Sequence, residues 1–220
     1  MKLPRRQFLH LAASAAALPA ASRFAWAQAY PTRPVRLIVG FPAGGSASDI
    51  VARLMGQWLS ERLGQQFVVE NRPGAATNLA TEAVVRAPPD GYTLLFVTAT
   101  NALNHTLYNN LNFNFIRDIA PVASIYRTPF VMLVNPSVPV PGYEASGWSG
   151  VGSPKSTPTE VIDKLNREIN TALADPKIKA QLADLGSTPL VGSPTDFGKL
   201  IADETEKWGN VIRALNIKAE

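Results

Sequence analysis

Val35-Arg36-Leu37-Ile38-Val39-Gly40-Phe41-Pro42-Ala43-Gly44-Gly45-Ser46-Ala47-Ser48-Asp49 decides the fold, because its pattern changes twice within a few residues. Val35 to Val39 is a short apolar run of the kind a strand buried on both faces presents. Gly40 to Ser48 is a loop. From Asp49 to Leu63 the apolar residues Ile50, Val51, Leu54, Trp58 and Leu59 recur at helical spacing, and Gly64 closes that helix. The pattern then repeats. Phe67-Val68-Val69 reads as a second strand, Asn71 to Thr77 as a second glycine-bearing loop, and Asn78 to Arg86 as a short helix. Pro88-Pro89-Asp90-Gly91 is a turn into a third strand, Tyr92 to Val97. Strand, helix, strand, helix, strand predicts an α/β fold built on a parallel sheet with crossovers.

The first loop has the chemistry of an anion site. Free N–H groups at a helix N-terminus, with the helix dipole behind them, favour negative charge, and the glycines allow close approach to the backbone. Ser46 and Ser48 add hydroxyls. Ser48 also fits the helix N-cap, and Asp49 a first-turn carboxylate that satisfies the dipole, so structural roles compete with ligand contact at both positions. The loop lacks the G-x-G-x-x-G spacing of a dinucleotide site and the Gly-Lys-Ser/Thr ending of a P-loop, which ranks a carboxylate above a phosphate. The second loop, Asn71 to Asn78, joins strand to helix at the same edge of a parallel sheet, where ligands collect. Thr98-Ala99-Thr100-Asn101 ends the third strand at that edge and brings hydroxyl and amide groups without net charge.

Beyond Val97 the pattern blurs through an asparagine-rich stretch and recovers apolar character at Ile125 and at Phe130 to Val134, where another strand is expected. Residues 136–157 are dense in proline and glycine, with Trp148 to Val151 the candidate strand, and form a junction between residues 28–135 and a helical segment over 158–220. In that last segment Thr157-Pro158-Thr159-Glu160 has the form of a capping box, Asp175-Pro176 starts a second helix that stops at Gly186, and Ser193-Pro194-Thr195-Asp196 caps a third. The third carries Phe197, Leu200, Ile201, Trp208 and Ile212 on one face, a core stripe.

Residues 1–27 have the form of an export signal. Lys2, Arg5 and Arg6 precede an apolar stretch from Leu9 to Ala21, Ala25-Trp26-Ala27 fits signal-peptidase cleavage, and Arg5-Arg6-Gln7-Phe8-Leu9 is similar to a twin-arginine motif. The segment holds four of the 21 basic residues and no acidic one, so the remainder carries 17 of each sign and its charge gives no reason to expect a nucleic-acid partner. The chain has no cysteine, and beyond the signal its one histidine is His105. A metal site and a Ser-His-Asp arrangement therefore have little to draw on, and no G-x-S-x-G elbow is present.

Several motifs in order, Tyr30-Pro31-Thr32-Arg33-Pro34-Val35, the Phe-Pro-Ala-Gly-Gly loop with Asp49, Glu70-Asn71-Arg72-Pro73-Gly74-Ala75, Pro89-Asp90-Gly91-Tyr92-Thr93-Leu94 and Tyr143-Glu144-Ala145-Ser146-Gly147-Trp148, resemble the Bug family of tripartite tricarboxylate transporter substrate-binding proteins. The run from Thr157 to Trp208 does so too. The resemblance implies a two-lobed type II periplasmic binding fold with no catalytic activity and no cofactor. Such a protein would hold a small carboxylate in the periplasm and present it to membrane transporter subunits or a sensor. It implies ligand contacts from Phe41, Ala43, Gly44, Gly45, Ser46, Ser48 and Asp49, and from Gly74, Ala75, Ala76, Thr77 and Asn78. Thr98 and Thr100 join them from the third strand's end.

The departures from the family are specific. After Asn135-Pro136-Ser137-Val138-Pro139 the family continues for roughly a hundred residues, enough for most of a second lobe; here the chain passes directly to Pro141-Gly142-Tyr143. Half of the clamp is expected to be missing, along with a strand returning between the lobes. Ala76, Thr77 and Ala80 stand where the family is expected to have glycines. The first loop is one residue longer than expected between Pro42 and Asp49. The alternative of the same descent is a protein that folds as one lobe and engages a protein partner without binding solute.

Overall fold

The strand–loop–helix opening is realised in a computed structural model of the chain, which describes residues 30–108, 110–135, 137 and 144–219. The expected signal segment lies outside them. Val35–Val39 forms β1 and Ala47–Leu63 forms α1. Phe67–Asn71 forms β2, Asn78–Val85 α2, Thr93–Thr98 β3 and Ala99–Leu107 α3. Phe115–Asp118 is a single turn, α4, that leads into β4 at Ile119–Pro129. β5 spans Ser146–Pro154, followed by α5 (Thr159–Ala174), α6 (Pro176–Asp184), the two-residue β6 (Thr188–Pro189) and α7 (Pro194–Ala214). Arg33–Glu220 form one unit.

One sheet in the order β2-β1-β3-β5-β4-β6 carries the fold. β1 lies parallel to both β2 and β3, as the alternating pattern predicts. β5 enters between β3 and β4 and runs antiparallel to both, from Leu95↔Gly152 on one side to Pro129↔Ser146 on the other. β5 follows the place where the chain departs from the family. It is also longer than Trp148 to Val151 and occupies part of the stretch read as a Pro/Gly-rich junction. Its glycines serve close packing: a Cβ on Gly150 would clash with the Ala123 carbonyl oxygen and the Phe197 ring. Trp148, also on β5, meets Phe197 edge-on at 5.7 Å between ring centroids. Such aromatic pairing adds roughly 0.5–1.5 kcal/mol to the area buried.

Helices cover both faces of the sheet. On one, Ile38, Leu95, Val97 and Trp148 join Ala80 and Val84 of α2, Ala102 of α3, Phe115 of α4 and Phe197 and Ile201 of α7 in a single core. Leu37 and Val39 alternate to the other face, where α1 packs on β1 and β2 and α5 packs on β4 and α1. The expected strand at Phe130 to Val134 is not formed. β4 ends at Pro129; the Phe130 N–H still donates to the Ala145 carbonyl at 2.9 Å, and beyond it no described residue pairs with the backbone of Val131 to Val134. Nor is Thr157 a helix cap: its hydroxyl donates to the Pro154 carbonyl at 2.7 Å, and Pro158 takes the N-cap of α5. The Ser193–Asp196 box on α7 forms as read.

Two polar clusters fix the loops at the carboxyl ends of the parallel strands. In the first, Ser46 rather than Ser48 caps α1, its hydroxyl accepting from the Asp49 N–H at 3.1 Å. Asp49, only 2% exposed, accepts from the Gly44 N–H, from the Arg53 guanidinium through both oxygens, and from the Asn71 amide at 2.8 Å. Burial alone would raise its pKa, but the donors from Arg53, Gly44 and Asn71 and the Arg53 charge outweigh it and hold the carboxyl at about 2.

The second cluster holds a strained turn. Ala75, Ala76 and Thr77 follow Gly74 with φ of 45°, 48° and 76°, three consecutive left-handed residues that are not glycine. Each costs about 1–2 kcal/mol of steric strain, and the β-branched Thr77 is the least suited. Buried side chains enforce the shape. Asn101 donates to the hydroxyls of Thr77 and Thr81 at 3.0 and 2.9 Å, while its own carbonyl oxygen accepts from the Thr98 N–H. Asn104 donates to the Ala76 carbonyl and to Asn78. Thr77 also fills the space over Gly40, where a Cβ would come within 2.6 Å of it. A hydrogen-bond scaffold thus forces alanine and threonine into glycine's conformation.

Two outcomes follow for stability. Ala76→Gly releases left-handed strain worth about 1–2 kcal/mol against a glycine entropy cost of about 0.5–1 kcal/mol, so a net gain of about 0.5–1 kcal/mol is expected in urea unfolding; a loss would show the turn is unstrained. Because the folded pKa of Asp49 is depressed from 3.8 to about 2, its contribution is complete above pH 3.8 and disappears as pH falls through the window down to 2. Asp49→Asn should lower stability at neutral pH by about 2 kcal/mol. The gap from wild type should close below that window, and a gap independent of pH would contradict the assignment.

Candidate functional site

At the carboxyl ends of β1 and β3 the chain turns twice into helices, α1 after the first loop and α3 directly after Thr98. A cavity of about 250 Å³ lies against both turns. Phe41, Ala47 and Ser48 line it from the first loop and α1, and Thr98, Ala99 and Thr100 from β3 and α3. Tyr126, Thr128 and Phe130 come from the end of β4, and Gly147, Trp148 and Ser149 from the start of β5. The topology forces this meeting: because β5 separates β3 from β4, the β4–β5 hairpin brings its own side chains to the edge where the parallel strands end.

The electrostatics come from backbone. Ala47 and Ser48 occupy the first turn of α1, and Ala99 and Thr100 the first turn of α3; no acceptor is described for the N–H groups of these four residues. Two helix dipoles therefore point their positive ends into one cavity. No Asp, Glu, Lys or Arg lines it. Among the hydroxyls, Thr98 is committed as a donor to Asn101 at 3.1 Å, and Thr128 shares a hydrogen with Ser187 at 2.6 Å. Ser48 and Thr100 have no partner among the described residues. Phe41, Phe130 and Trp148 add apolar wall. Such a lining can hold a small anion with an apolar body by oriented donors, and it offers no nucleophile–base pair; His105, on the last turn of α3, is not part of it.

The candidate residues divide into those at the cavity and those behind it. Phe41, Ser48, Thr98 and Thr100 line it. Ala43, Gly44 and Gly45 form the exposed outer turn of the first loop, with the Gly44 N–H spent on Asp49, and Ser46 and Asp49 hold the turn closed. Gly74, Ala75 and Ala76 are exposed on the second loop and do not line the cavity, while Thr77 and Asn78 are buried in the asparagine cluster that anchors Thr98. The hairpin residues Tyr126, Thr128, Phe130, Gly147, Trp148 and Ser149 were not legible as site residues. The signal lay in Gly147-Trp148-Ser149, but its use depends on knowing which strand β5 adjoins.

A second, larger groove of about 660 Å³ lies between the C-terminal turns of α3 and α7, lined by Tyr108, Arg213 and Lys218 among others. The helix C-termini there present the negative end of the dipole, and Arg213 and Lys218 oppose it. Among the described residues, no group of three or more His, Cys, Asp or Glu side chains is placed to hold a metal ion, and no helix is long and apolar enough to cross a membrane.

The comparisons with known proteins agree with this architecture. The family model described as tripartite tricarboxylate transporter family receptor matches residues 51–142 and 140–217, two pieces that meet where the chain departs from the family. Protein BugT of Bordetella pertussis is 24% identical over 301 aligned positions that cover 87% of this chain and 92% of BugT. Since 87% of 220 residues is about 191, about 110 of those positions have no residue here. Rpa4515 of R. palustris, solved with adipate, has a TM-score of 0.79 at 24% identity, covering 86% of this chain and 99% of that one. MatC from Rhodopseudomonas palustris, solved with bound malate, has a TM-score of 0.74 at 21% identity, covering 83% and 100%. These likenesses establish the mixed α/β fold of periplasmic binding proteins. The chain belongs to the tripartite tricarboxylate transporter receptor family, a family of solute-binding receptors and not of enzymes.

Proposed function

We propose that the chain is exported to the periplasm behind a signal ending at Ala27, binds a small carboxylate in the cavity at the ends of β1 and β3, and presents it to a tripartite tricarboxylate-type transporter or a sensor. The observation that carries this reading is the convergence of two helix N-terminal turns, Ala47-Ser48 and Ala99-Thr100, on one uncharged cavity. The four backbone N–H groups and the hydroxyls of Ser48 and Thr100 are the available donors, of which two or three bond the carboxylate at once; Phe41, Trp148 and Phe130 flank the carbon chain. Asp49, Gly44 and Ser46 position the first loop. Thr77 and Asn78 act through Asn101 and Asn104 to position Thr98. The adipate and malate of the solved neighbours support the carboxylate class.

Affinity is limited by what the chain lacks. A two-lobed protein closes on its ligand and strengthens each polar contact by removing water. Here the cavity stays open. Two or three hydrogen bonds to a charged group, each worth roughly 1.5–3 kcal/mol, are offset by an association cost of roughly 4–15 kcal/mol, which places Kd near or above about a millimolar. Isothermal titration with adipate, malate and further small carboxylates should give such a value for at least one, weakened about three- to tenfold by Ser48→Ala or Thr100→Ala. Silence across the panel would replace this reading with that of a partner-binding protein without solute. Micromolar binding by monomer would contradict the open single-lobe site.

A further inference from the structure

Besides Ser48 and Thr100, two hydroxyls at the cavity have no hydrogen-bond partner among the described residues: Tyr126 on β4 and Ser149 on β5. Tyr126 is 5% exposed and Ser149 2%, and polar atoms of residues so buried are normally bonded. Among the described residues the fully enclosed side-chain atoms that lack a partner are Trp58 Nε1, Trp148 Nε1 and Ser153 Oγ, so the Tyr126 and Ser149 hydroxyls are not sealed in. The open space that both residues line is the cavity. Register sets them side by side. Ser149 is the cross-strand partner of Tyr126 on one side and of Thr98 on the other, which puts the three on one face of the sheet in a row across β3, β5 and β4. With facing Cα atoms about 4.5–5.5 Å apart, Ser149 stands about 5 Å and Tyr126 about 10 Å along the row from Thr98, where α3 begins.

We infer that Tyr126 and Ser149 form a second, uncharged subsite that holds a hydroxyl on the solute's carbon chain, several bonds from the carboxylate, and so select hydroxy acids over plain alkyl carboxylates. Its use rests on the carboxylate binding proposed for the same cavity. A solute hydroxyl suits the pair because it accepts from one protein hydroxyl while donating to the other, and both tyrosine and serine can play either part. A second carboxylate suits it less. No cationic side chain lines the cavity, and the two helix N-terminal turns follow β1 and β3, across β5 from Tyr126, so a charge at Tyr126 would lose water without a compensating charge. The neighbouring hydroxyls do not compete for the same role, since Thr98 is committed to Asn101 and Thr128 to Ser187.

Titration of the purified protein with butyrate, 2-hydroxybutyrate, 4-hydroxybutyrate and succinate, followed by amide chemical shifts, reads this preference. 4-Hydroxybutyrate should bind about three- to tenfold tighter than butyrate, whereas 2-hydroxybutyrate, whose hydroxyl sits beside the carboxylate, should gain less than about twofold. Tyr126→Phe removes only the oxygen and should bring the ratio of 4-hydroxybutyrate to butyrate affinity close to one; Ser149→Ala should lower it as well. Ser48→Ala, at the carboxylate end, should weaken all the ligands by a similar factor and keep the ratio. Equal affinity for butyrate and 4-hydroxybutyrate, a ratio indifferent to both Tyr126→Phe and Ser149→Ala, or succinate bound more tightly than 4-hydroxybutyrate would overturn the subsite and leave the carboxylate site standing. No binding of any of the four would overturn both.

Discussion

The antiparallel seat of Ser146–Pro154 between β3 and β4 is the constraint on which the rest of the structure depends. Without β5 the three parallel strands would end at β3 with an open edge, and β4 would have no ladder to join. With it, six strands form one sheet and both faces gain a core. The glycines of β5 make this possible, since the Phe197 ring of α7 and the Ala123 carbonyl occupy the space a side chain at 150 would need. The C-terminal helices are held through the same strand: α7 docks by Phe197 against Trp148, and α5 lies over β4.

The site is a product of that sheet. Parallel strands β1 and β3 aim two helix N-terminal turns at one edge, and the β4–β5 hairpin closes the side of the cavity that a sheet of three strands would leave open. Its chemistry is donor-rich but carries no formal charge, which suits recognition without reaction. The charged groups nearby are used to build the loops: Asp49 and Arg53 satisfy each other and tie Gly44 and Asn71 into the first loop, so the carboxylate there does not oppose an anionic ligand from within the cavity.

Much of this was legible in the residues. The change from the Val35–Val39 run to the helical spacing after Asp49 predicted β1, the loop and α1, and the second repeat predicted β2 and α2, because each element's local pattern agrees with its place in the sheet. Three things were not legible. Ser46 and Ser48 are both plausible caps by type, and the choice rests on a backbone geometry that sequence does not display. Of glycine-rich β5 only Trp148 to Val151 read as strand; its full length was hidden because the reason for its glycines, the ring of Phe197, is some fifty residues away. The hairpin half of the cavity was missed for the same cause: the neighbours of β5 are a property of topology. The strained turn at Ala75–Thr77 lies between these cases. Left-handed φ there favours glycine, and the structure instead holds alanine and threonine in that conformation with asparagine side chains.

The central claim is that the chain completes a folded lobe by itself, with β5 as an interior strand even though most of the second lobe is absent. Native-state hydrogen exchange tests it most directly. Interior strands exchange through global unfolding, while frayed or poorly seated ones open locally. The account predicts that the amides of Gly147 to Ser153 exchange with the same free energy as those of β1 and β3. Exchange from β5 at the rate of the surface loops, with β1 and β3 still protected, would contradict it.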